Sequence, residues 1–464
     1  MSRYKRYERY KDSGVEWIGE IPEHWIHCKL GYLLVKNDSG TWGDDYDDDG
    51  VVVLRSTEIT LNGTWSIVDP ARRMIPVKEY ERCLLREGDL ILTKSSGSEQ
   101  HIGKTVIVDE DIAKMKCVFS NFMQRLRPEN GKLLPKYLYY FLNVNGREQL
   151  FYLSTTTTGL KNISGSTINA LKIQLPTMYE QVIIANFLDQ KTTEIDDLIA
   201  DKEKLIELLQ EKRQAIITEA VTKGLNPSVK MKDSGVEWIG EIPEHWEIGR
   251  LKNSIKSCRN GIWGDEPQGD NNDIACIRVT DFNRTNMEIE VNDLTIRNIP
   301  ASKQKLYLLK YGDLLIEKSG GGEKQPVGFV TIFKHNIPAV YANFIARIEL
   351  DKRKAYSGFF KYIYSAMYSI RLNVRSIKQT TGIQNLDTNY YFDERVMYPP
   401  LNEQIHIANF LDQKTAEIDD LIFDINTQIQ KLKEYRQSLI SEAVTGKIDV
   451  REFQKKNEVI FRNE

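Results

Sequence analysis

Two loops in this sequence carry the side chains of a nucleic-acid contact. Thr93-Lys-Ser-Ser-Gly-Ser-Glu-Gln100 follows the apolar run Asp89-Leu-Ile-Leu92, and Glu317-Lys-Ser-Gly-Gly-Gly-Glu-Lys-Gln325 follows Leu314-Leu-Ile316. Glycine lets a backbone approach phosphate or a groove floor, while Lys, Ser and Gln offer donors to phosphates and base edges. A plain flexible loop would have either composition alone; the argument for function is that both loops persist while their letters change. Thr155-Thr-Thr-Thr-Gly-Leu-Lys-Asn162 and Lys378-Gln-Thr-Thr-Gly-Ile-Gln-Asn385 behave in the same way. The candidate contacts are therefore Lys94, Ser95, Ser96, Ser98, Gln100, Lys104, Thr158 and Lys161, and then Lys318, Ser319, Lys324, Gln325, Lys378, Thr381 and Gln384. Arg55, Arg72, Arg73, Arg125 and Arg127 in the first half, and Arg278, Arg284, Arg347, Arg371 and Arg375 in the second, add basic character. Any one of them taken singly reads as solvated surface or a salt-bridge partner.

Other chemistries find little support. Glu16 and Glu20 lie near His24, but no nucleophile, metal motif or pocket signature accompanies them, so the reading is structural. The five cysteines (Cys28, Cys83, Cys117, Cys258, Cys276) contain no C-x-x-C pair, and the six histidines complete no metal-ligand spacing with them, so reduced thiols and no zinc are expected. Tyr398-Pro-Pro-Leu401 lacks both the Asn and the aromatic residue of an Asn-Pro-Pro-aromatic methyltransferase motif, and no Gly-x-x-x-x-Gly-Lys-Ser/Thr phosphate loop occurs. No catalytic residue, metal or cofactor is expected in the chain. The start, Met1-Ser-Arg-Tyr-Lys-Arg-Tyr-Glu-Arg-Tyr10, is charged where a secretory signal is apolar, and the expected compartment is the cytoplasm.

The elements that would position the loops come from a duplication. Lys11-Asp-Ser-Gly-Val-Glu-Trp-Ile-Gly-Glu-Ile-Pro-Glu-His-Trp25 recurs without change from Lys232 to Trp246. The block Ile184 to Ile199 returns from Ile407 to Ile422 with one substitution, Thr193 against Ala416, and Glu219-Ala-Val-Thr222 returns as Glu442-Ala-Val-Thr445. Between these blocks the halves diverge, with echoes at Trp42-Gly43-Asp44 and Trp263-Gly264-Asp265, at Gly88-Asp89-Leu90 and Gly312-Asp313-Leu314, and at Asn121-Phe122 and Asn343-Phe344. Two copies of one fold with different surface chemistry suit one shared task and two different recognition tasks. The identical segments read as packing motifs anchored by Trp17, Trp25, Trp238 and Trp246.

Each copy ends in a long helical pattern. Leu188, Ile195, Lys202, Leu209 and Ile216 recur every seven residues, with Leu198 and Leu205 three residues after two of them. In the second copy Leu411, Ile418, Ile425, Leu432 and Leu439 are all apolar, with Leu421 and Tyr435 offset by three and Ile422 and Ile429 by four. No Pro or Gly interrupts either stretch, and Gly224 and Gly446 follow the ends. Helices of about 40 residues, or about 60 Å, outgrow a small domain. The simplest partner for each is the other, as a coiled-coil spacer, although each stripe could instead pack on its own domain. The net charge of −3 conceals an uneven distribution: residues 180–223 carry ten acidic and six basic side chains and residues 403–447 eight and five, which leaves the remainder at +4.

The segments are then an N-terminal stretch with the first motif (1–25), a first variable domain (26–177), a central helix (178–225), a linker with the second motif (226–246), a second variable domain (247–400), a distal helix (401–447) and a tail (448–464). The fold class is α+β: two similar mixed α/β domains separated by two long antiparallel coiled-coil helices.

This alternation, the segment Gly-Val-Glu-Trp-Ile-Gly-Glu-Ile-Pro-Glu-His-Trp, and Pro399-Pro-Leu-Asn-Glu-Gln404 ahead of the block ending at Ile422 resemble the specificity subunit of type I restriction-modification systems. The first half has Leu175-Pro-Thr-Met-Tyr-Glu-Gln181 in place of the double proline, a small departure. The resemblance covers nearly the whole chain. It implies two target-recognition domains related by a pseudo-twofold, each reading half of a bipartite DNA target across a nonspecific spacer. It also implies two methyltransferase subunits carrying S-adenosylmethionine and two restriction subunits using ATP and Mg, none of that chemistry residing in this chain. The competing reading is a scaffold whose two domains bind proteins, which salt dependence would separate from DNA binding.

Overall fold

The computed structural model describes residues 4–14, 18–44, 46–157, 160–380 and 382–453. The chain divides into two compact units, Met1–Ala200 with Ile429–Glu464, and Asp201–Gln428, so the division falls inside both long helices. Each unit holds one variable domain and a stretch of each helix.

In the first unit the central sheet is antiparallel, in the order Leu34–Ser39, Met123–Pro128, Leu90–Thr93, Thr105–Ile107. Leu90–Thr93 is buried at every position, as the unbroken apolar run Leu90-Ile-Leu92 leads one to expect of a strand covered on both faces. Beside it lie a three-stranded sheet of Val118–Phe119, Tyr46–Leu54 and Ala71–Arg73, and a smaller one of Thr155–Thr157, Leu160–Asn162 and Ser95–Ser96.

The second unit repeats this plan. Ile255–Asn260, Ile345–Leu350, Leu314–Glu317 and Val330–Ile332 take the same order, extended by two short strands, Glu288–Ile289 and Phe282–Asn283. Thr295–Asn298, Asp273–Ile277 and Ala339–Tyr341 form the second sheet, and Ser319–Gly320, Ile383–Leu386 and Ile377–Thr380 the small one. The apolar helix Ser357–Ser369 is buried along most of its length in the core. The architecture is α+β with an internal repeat.

The first long helix is Met178–Lys223 and the second Leu401–Val444. Thr177 and Glu180 open the first with reciprocal backbone bonds, Thr177 N–H to Glu180 Oε2 and Glu180 N–H to Thr177 Oγ1, both 3.3 Å. Gln181 then locks the helix to its domain, accepting from Leu134 N–H and donating to the carbonyls of Lys132 and Pro176. Gln404 does the same with Tyr356, Lys354 and Pro399. His24 and His245 bond to Glu180 and Glu403, each at 2.8 Å, so these histidines brace the first helical turns. Trp25 and Trp246 are fully buried. Gly446 and Gly224 end the helices at φ +71 and +74 and face Trp25 and Trp246 respectively. Glu16 and Trp17 lie outside the described residues.

Within the second unit the helix segments run antiparallel: Lys202 Nζ bonds Gln428 Oε1 at 2.7 Å, and further along the first helix Arg213 Nε bonds Asp419 Oδ1 at 3.1 Å. Within the first unit Arg436 Nε pairs with Asp196 at 2.9 Å. Leu188, Ile195, Leu411, Ile418, Ile425 and Leu439 are buried, and Lys202, Leu209, Ile216 and Leu432 are half-buried. Leu198, Leu205 and Leu421 correct the expected spacer, being 43%, 44% and 51% exposed. The stripe continues four residues after each heptad position instead of three, through Thr192, Ile199, Thr415 and Ile429, all buried. Leu198 beside Ile199, and Leu421 beside Ile422, leave both spacings apolar in the sequence, and packing selects the second.

Candidate DNA interface

In each domain the two polar stretches meet in one small sheet. Ser95–Ser96 pairs with Leu160–Asn162, which pairs with Thr155–Thr157. Ser319–Gly320 pairs with Ile383–Leu386, which pairs with Ile377–Thr380. The join is made by the same side chains in both, Ser95 Oγ donating to Asn162 Oδ1 and Ser319 Oγ donating to Asn385 Oδ1 at 2.6 Å. The lysine before each serine is tethered to the edge strand of the main sheet: Lys94 Nζ to Ser39 Oγ, and Lys318 Nζ to Asn260 Oδ1 at 2.8 Å. Burial lowers the pKa of Lys94.

Of the candidate contacts on this platform, Ser98, Gln100, Lys324, Gln325 and Lys378 are exposed. Ser96 Oγ accepts from Ser98 N–H at 3.1 Å, and the Gly322 N–H to Gln325 carbonyl bond, 3.0 Å, closes the glycine turn. Lys161 lies 3.6 Å from the centre of the Phe151 ring and pairs with Glu99, while Lys378 pairs with Asp387 at 2.7 Å. Exposed pairs of this kind are worth about 0–1 kcal/mol, so an incoming phosphate can displace the carboxylate. Thr158 and Thr381 lie outside the described residues.

Two candidates are placed elsewhere. Lys104 is 1% exposed, its ammonium donating to the carbonyls of Ser56 and Ile59, and burial brings its pKa down to about 8. It supports the fold from inside and has no reach to a phosphate. Gln384 is 9% exposed, its Oε1 accepting from Val327 N–H at 3.3 Å, so it too is a framework group. Most of the remaining arginines are similarly engaged: Arg125 with Asp38, Arg127 with Asp89, Arg284 with Glu317 and Arg347 with Asp313. Arg371 and Arg375 are exposed.

Phe122 and Phe344, not among the candidates, also stand beside the platforms. Each is 49% exposed. Their carbonyls accept from Lys94 and Ser95 N–H at 3.0 and 3.3 Å, and from Lys318 and Ser319 N–H at 2.8 and 3.1 Å. The repeated Asn-Phe pair was the available signal, and its place beside the loop appears only in three dimensions.

Among the described residues no group of His, Cys, Asp and Glu side chains could hold a metal ion, and no helix is long and apolar enough to cross a membrane. The family model described as "Type I restriction modification DNA specificity domain" matches residues 44–208 and 243–431. The type I restriction enzyme StySPI specificity subunit of Salmonella potsdam is 24% identical over 439 residues, covering 93% of this chain and 90% of the relative. The EcoKI specificity subunit of Escherichia coli K12 is 22% identical over 442 residues, with coverages of 93% and 90%. Among solved structures, a chain from a study of complex assembly and conformational transition of the type I R-M system superposes with a TM-score of 0.67 at 15% identity, covering 91% of this chain and 98% of that one. The HsdS subunit from Thermoanaerobacter tengcongensis follows with a TM-score of 0.50 at 17% identity, covering 92% and 98%. Specificity subunits are the non-catalytic members of their systems. With a repeated α+β domain, a polar platform kept in both copies and a family model spanning most of its length, the chain belongs to the DNA-specificity family of type I restriction-modification systems.

Proposed function

We propose that the chain reads a bipartite DNA target, one half per domain, and directs two methyltransferase subunits and two restriction subunits to it in the cytoplasm. S-adenosylmethionine, ATP and Mg belong to those partners on this reading, and the adenine to be methylated is flipped into the methyltransferase site. The observation that carries the proposal is the pair of platforms. Their strand pairing and serine–asparagine bond coincide, yet the exposed letters differ in the matched register, Ser98 and Gln100 against Gly322 and Lys324, as two readers of different half-sites require.

Mapping methylated adenines in the host genome tests this. A bipartite motif is expected that vanishes when the gene is deleted, and replacing residues 247–400 with the corresponding domain of another family member is expected to change one half of the motif alone. A change in both halves would refute the assignment of one reader to each domain.

A further inference from the structure

Several of the residues that survive unchanged between the diverged domains gather at one place. In the second domain Trp263, Arg278, Val279, Thr280, Asn343 and Phe344 line a cavity of about 410 Å³, within the range of about 300–1,000 Å³ common for small-ligand seats. Five of them have identical counterparts in the first domain: Trp42, Arg55, Thr57, Asn121 and Phe122. The same backbone bonds fix both sets. Thr41 N–H reaches the Phe119 carbonyl and Ile262 N–H the Tyr341 carbonyl, each at 2.9 Å; Ser120 N–H reaches Leu54 and Ala342 N–H reaches Ile277, at 2.8 and 2.9 Å. Gly40 and Gly261 permit the approach, since a Cβ there would stand 2.0 and 2.1 Å from the carbonyl oxygens of Phe119 and Tyr341.

The side chains repeat as well. Arg73 lies over the Trp42 ring at 4.6 Å and Arg297 over the Trp263 ring at 4.4 Å. Arg55 and Arg278 pair with the acid three residues on, Glu58 and Asp281. The Nε of Arg278 is buried and finds no hydrogen-bond partner among the described residues. The Phe122 and Phe344 rings stand half in solvent, and Trp263 is 39% exposed. A ring kept only for packing would be covered. These aromatics are held open beside the lysine-serine loop, whose first N–H groups bond the phenylalanine carbonyl.

Two domains that read different sequences cannot use identical residues for the part of reading that differs. What the two half-sites share is the sugar-phosphate backbone and the π-face that every base has. We propose that Trp42, Arg55, Asn121 and Phe122, and Trp263, Arg278, Asn343 and Phe344, form the same seat for one nucleotide of DNA in each domain. The base, unstacked from one neighbour in the duplex, lies against the phenylalanine ring, and the adjoining phosphate meets the arginine and asparagine donors, without regard to base identity. The seat registers each domain on the duplex while the platform beside it reads. This rests on the DNA-reading function proposed above.

The test uses the full chain assembled with its methyltransferase subunits and the target found by methylation mapping. Phe344→Ala is expected to weaken binding about ten- to a hundredfold, the size of one base–aromatic stack, and to leave the methylated motif unchanged. Phe122→Ala is expected to do the same. With 2-aminopurine placed at successive positions, wild type is expected to change the fluorescence at one position in each half-site, and each variant to lose one of the two signals. Phe344→Trp keeps a stacking face and is expected to restore most of the affinity, which separates stacking from loss of fold. Unchanged affinity and fluorescence in Phe344→Ala would overturn the seat. So would an altered motif, which would make Phe344 a base reader, or loss of methyltransferase assembly without DNA, which would make the cavity a protein seat. A wild-type complex that reads no bipartite target would instead remove the function on which the seat depends.

Discussion

Where the first domain places Lys104, the second places Phe329: Thr93 N–H bonds the Lys104 carbonyl at 2.8 Å and Glu317 N–H the Phe329 carbonyl at 2.9 Å. The first domain buries a lone ammonium there, satisfied by two backbone carbonyls. The second buries a carboxylate, Glu317, paired with Arg284 at 2.6 Å, and the guanidinium lies 4.7 Å from the centre of the Phe329 ring. The helix mounts, by contrast, share their central bonds. Tyr140 donates to Asp189 and Tyr362 to Asp412, each at 2.7 Å, with Thr192 and Thr415 in equivalent places. Interior charge has drifted wherever a domain can satisfy it privately, whereas the tyrosine–aspartate–threonine grip on each long helix is kept.

The largest effect should come from a difference inside that shared mount. Lys361 is 3% exposed and sits 2.7 Å from Asp412, whereas Lys136, the partner of Asp189, is 48% exposed. Removing Asp412 strands a buried cation, and Asp412→Ala is expected to cost about 3–5 kcal/mol. Asp189→Ala loses a hydrogen bond and a screened pair, about 1–2 kcal/mol. Urea unfolding of the full chain, followed by hydrogen exchange in each unit, compares them; equal losses would break the distinction.

The second effect depends on pH. Lys104 falls from 10.5 in the unfolded chain to about 8 in the fold, chiefly through burial. Between those values the unfolded state holds the proton that the folded state has released, so this lysine makes the first unit more stable as pH rises, by at most about 1.4 kcal/mol per pH unit. Below about pH 8 both states are protonated and the burial penalty is fully felt. In Lys104→Met that contribution is expected to vanish. The measurement is the difference in unfolding free energy between wild type and variant across this range, and a pH-independent difference would show that Lys104 does not titrate there.

The smallest effect tests the helix stripe. Leu421→Ala is expected to change stability by no more than about 0.5 kcal/mol, because the side chain is 51% exposed. Ile425→Ala, at a position 8% exposed, should cost about 2–4 kcal/mol. Thermal unfolding of the two variants suffices, and similar losses would restore the spacing of three.

Much of this design was legible beforehand. An exact repeat announces two copies of one fold, a heptad run without Pro or Gly announces a long helix, and Leu90-Ile-Leu92 announces a buried strand. The polar loops were visible as separate stretches, but their union depends on Ser95 meeting Asn162 across 67 residues. Lys104 looked like a surface cation because the carbonyls that hold it are backbone groups 45 and 48 residues away, and no residue type encodes them. The Trp-Gly-Asp and Asn-Phe echoes were visible too, yet only folding brings them to one cavity.

The two glycine stops end in unlike surroundings. After Gly224 the chain runs on covalently into the hairpin Met231–Asp233 with Glu241–Pro243, and Trp246 folds back against the glycine. At Gly446 the equivalent hairpin, Tyr10–Asp12 with Glu20–Pro22, arrives from the far end of the polypeptide and is retained by the Tyr10 hydroxyl on the Gly446 carbonyl, the Lys5–Asp449 bridge and the Lys5–Glu452 pair. One seam is a bond and the other a latch. Covalent connection keeps the second hairpin at high local concentration through every fluctuation, whereas the first reaches its glycine only through its own domain, which the Tyr137 hydroxyl joins to the Val444 carbonyl. The duplicated hairpins are therefore held by different means, one through the chain and the other through noncovalent contacts alone.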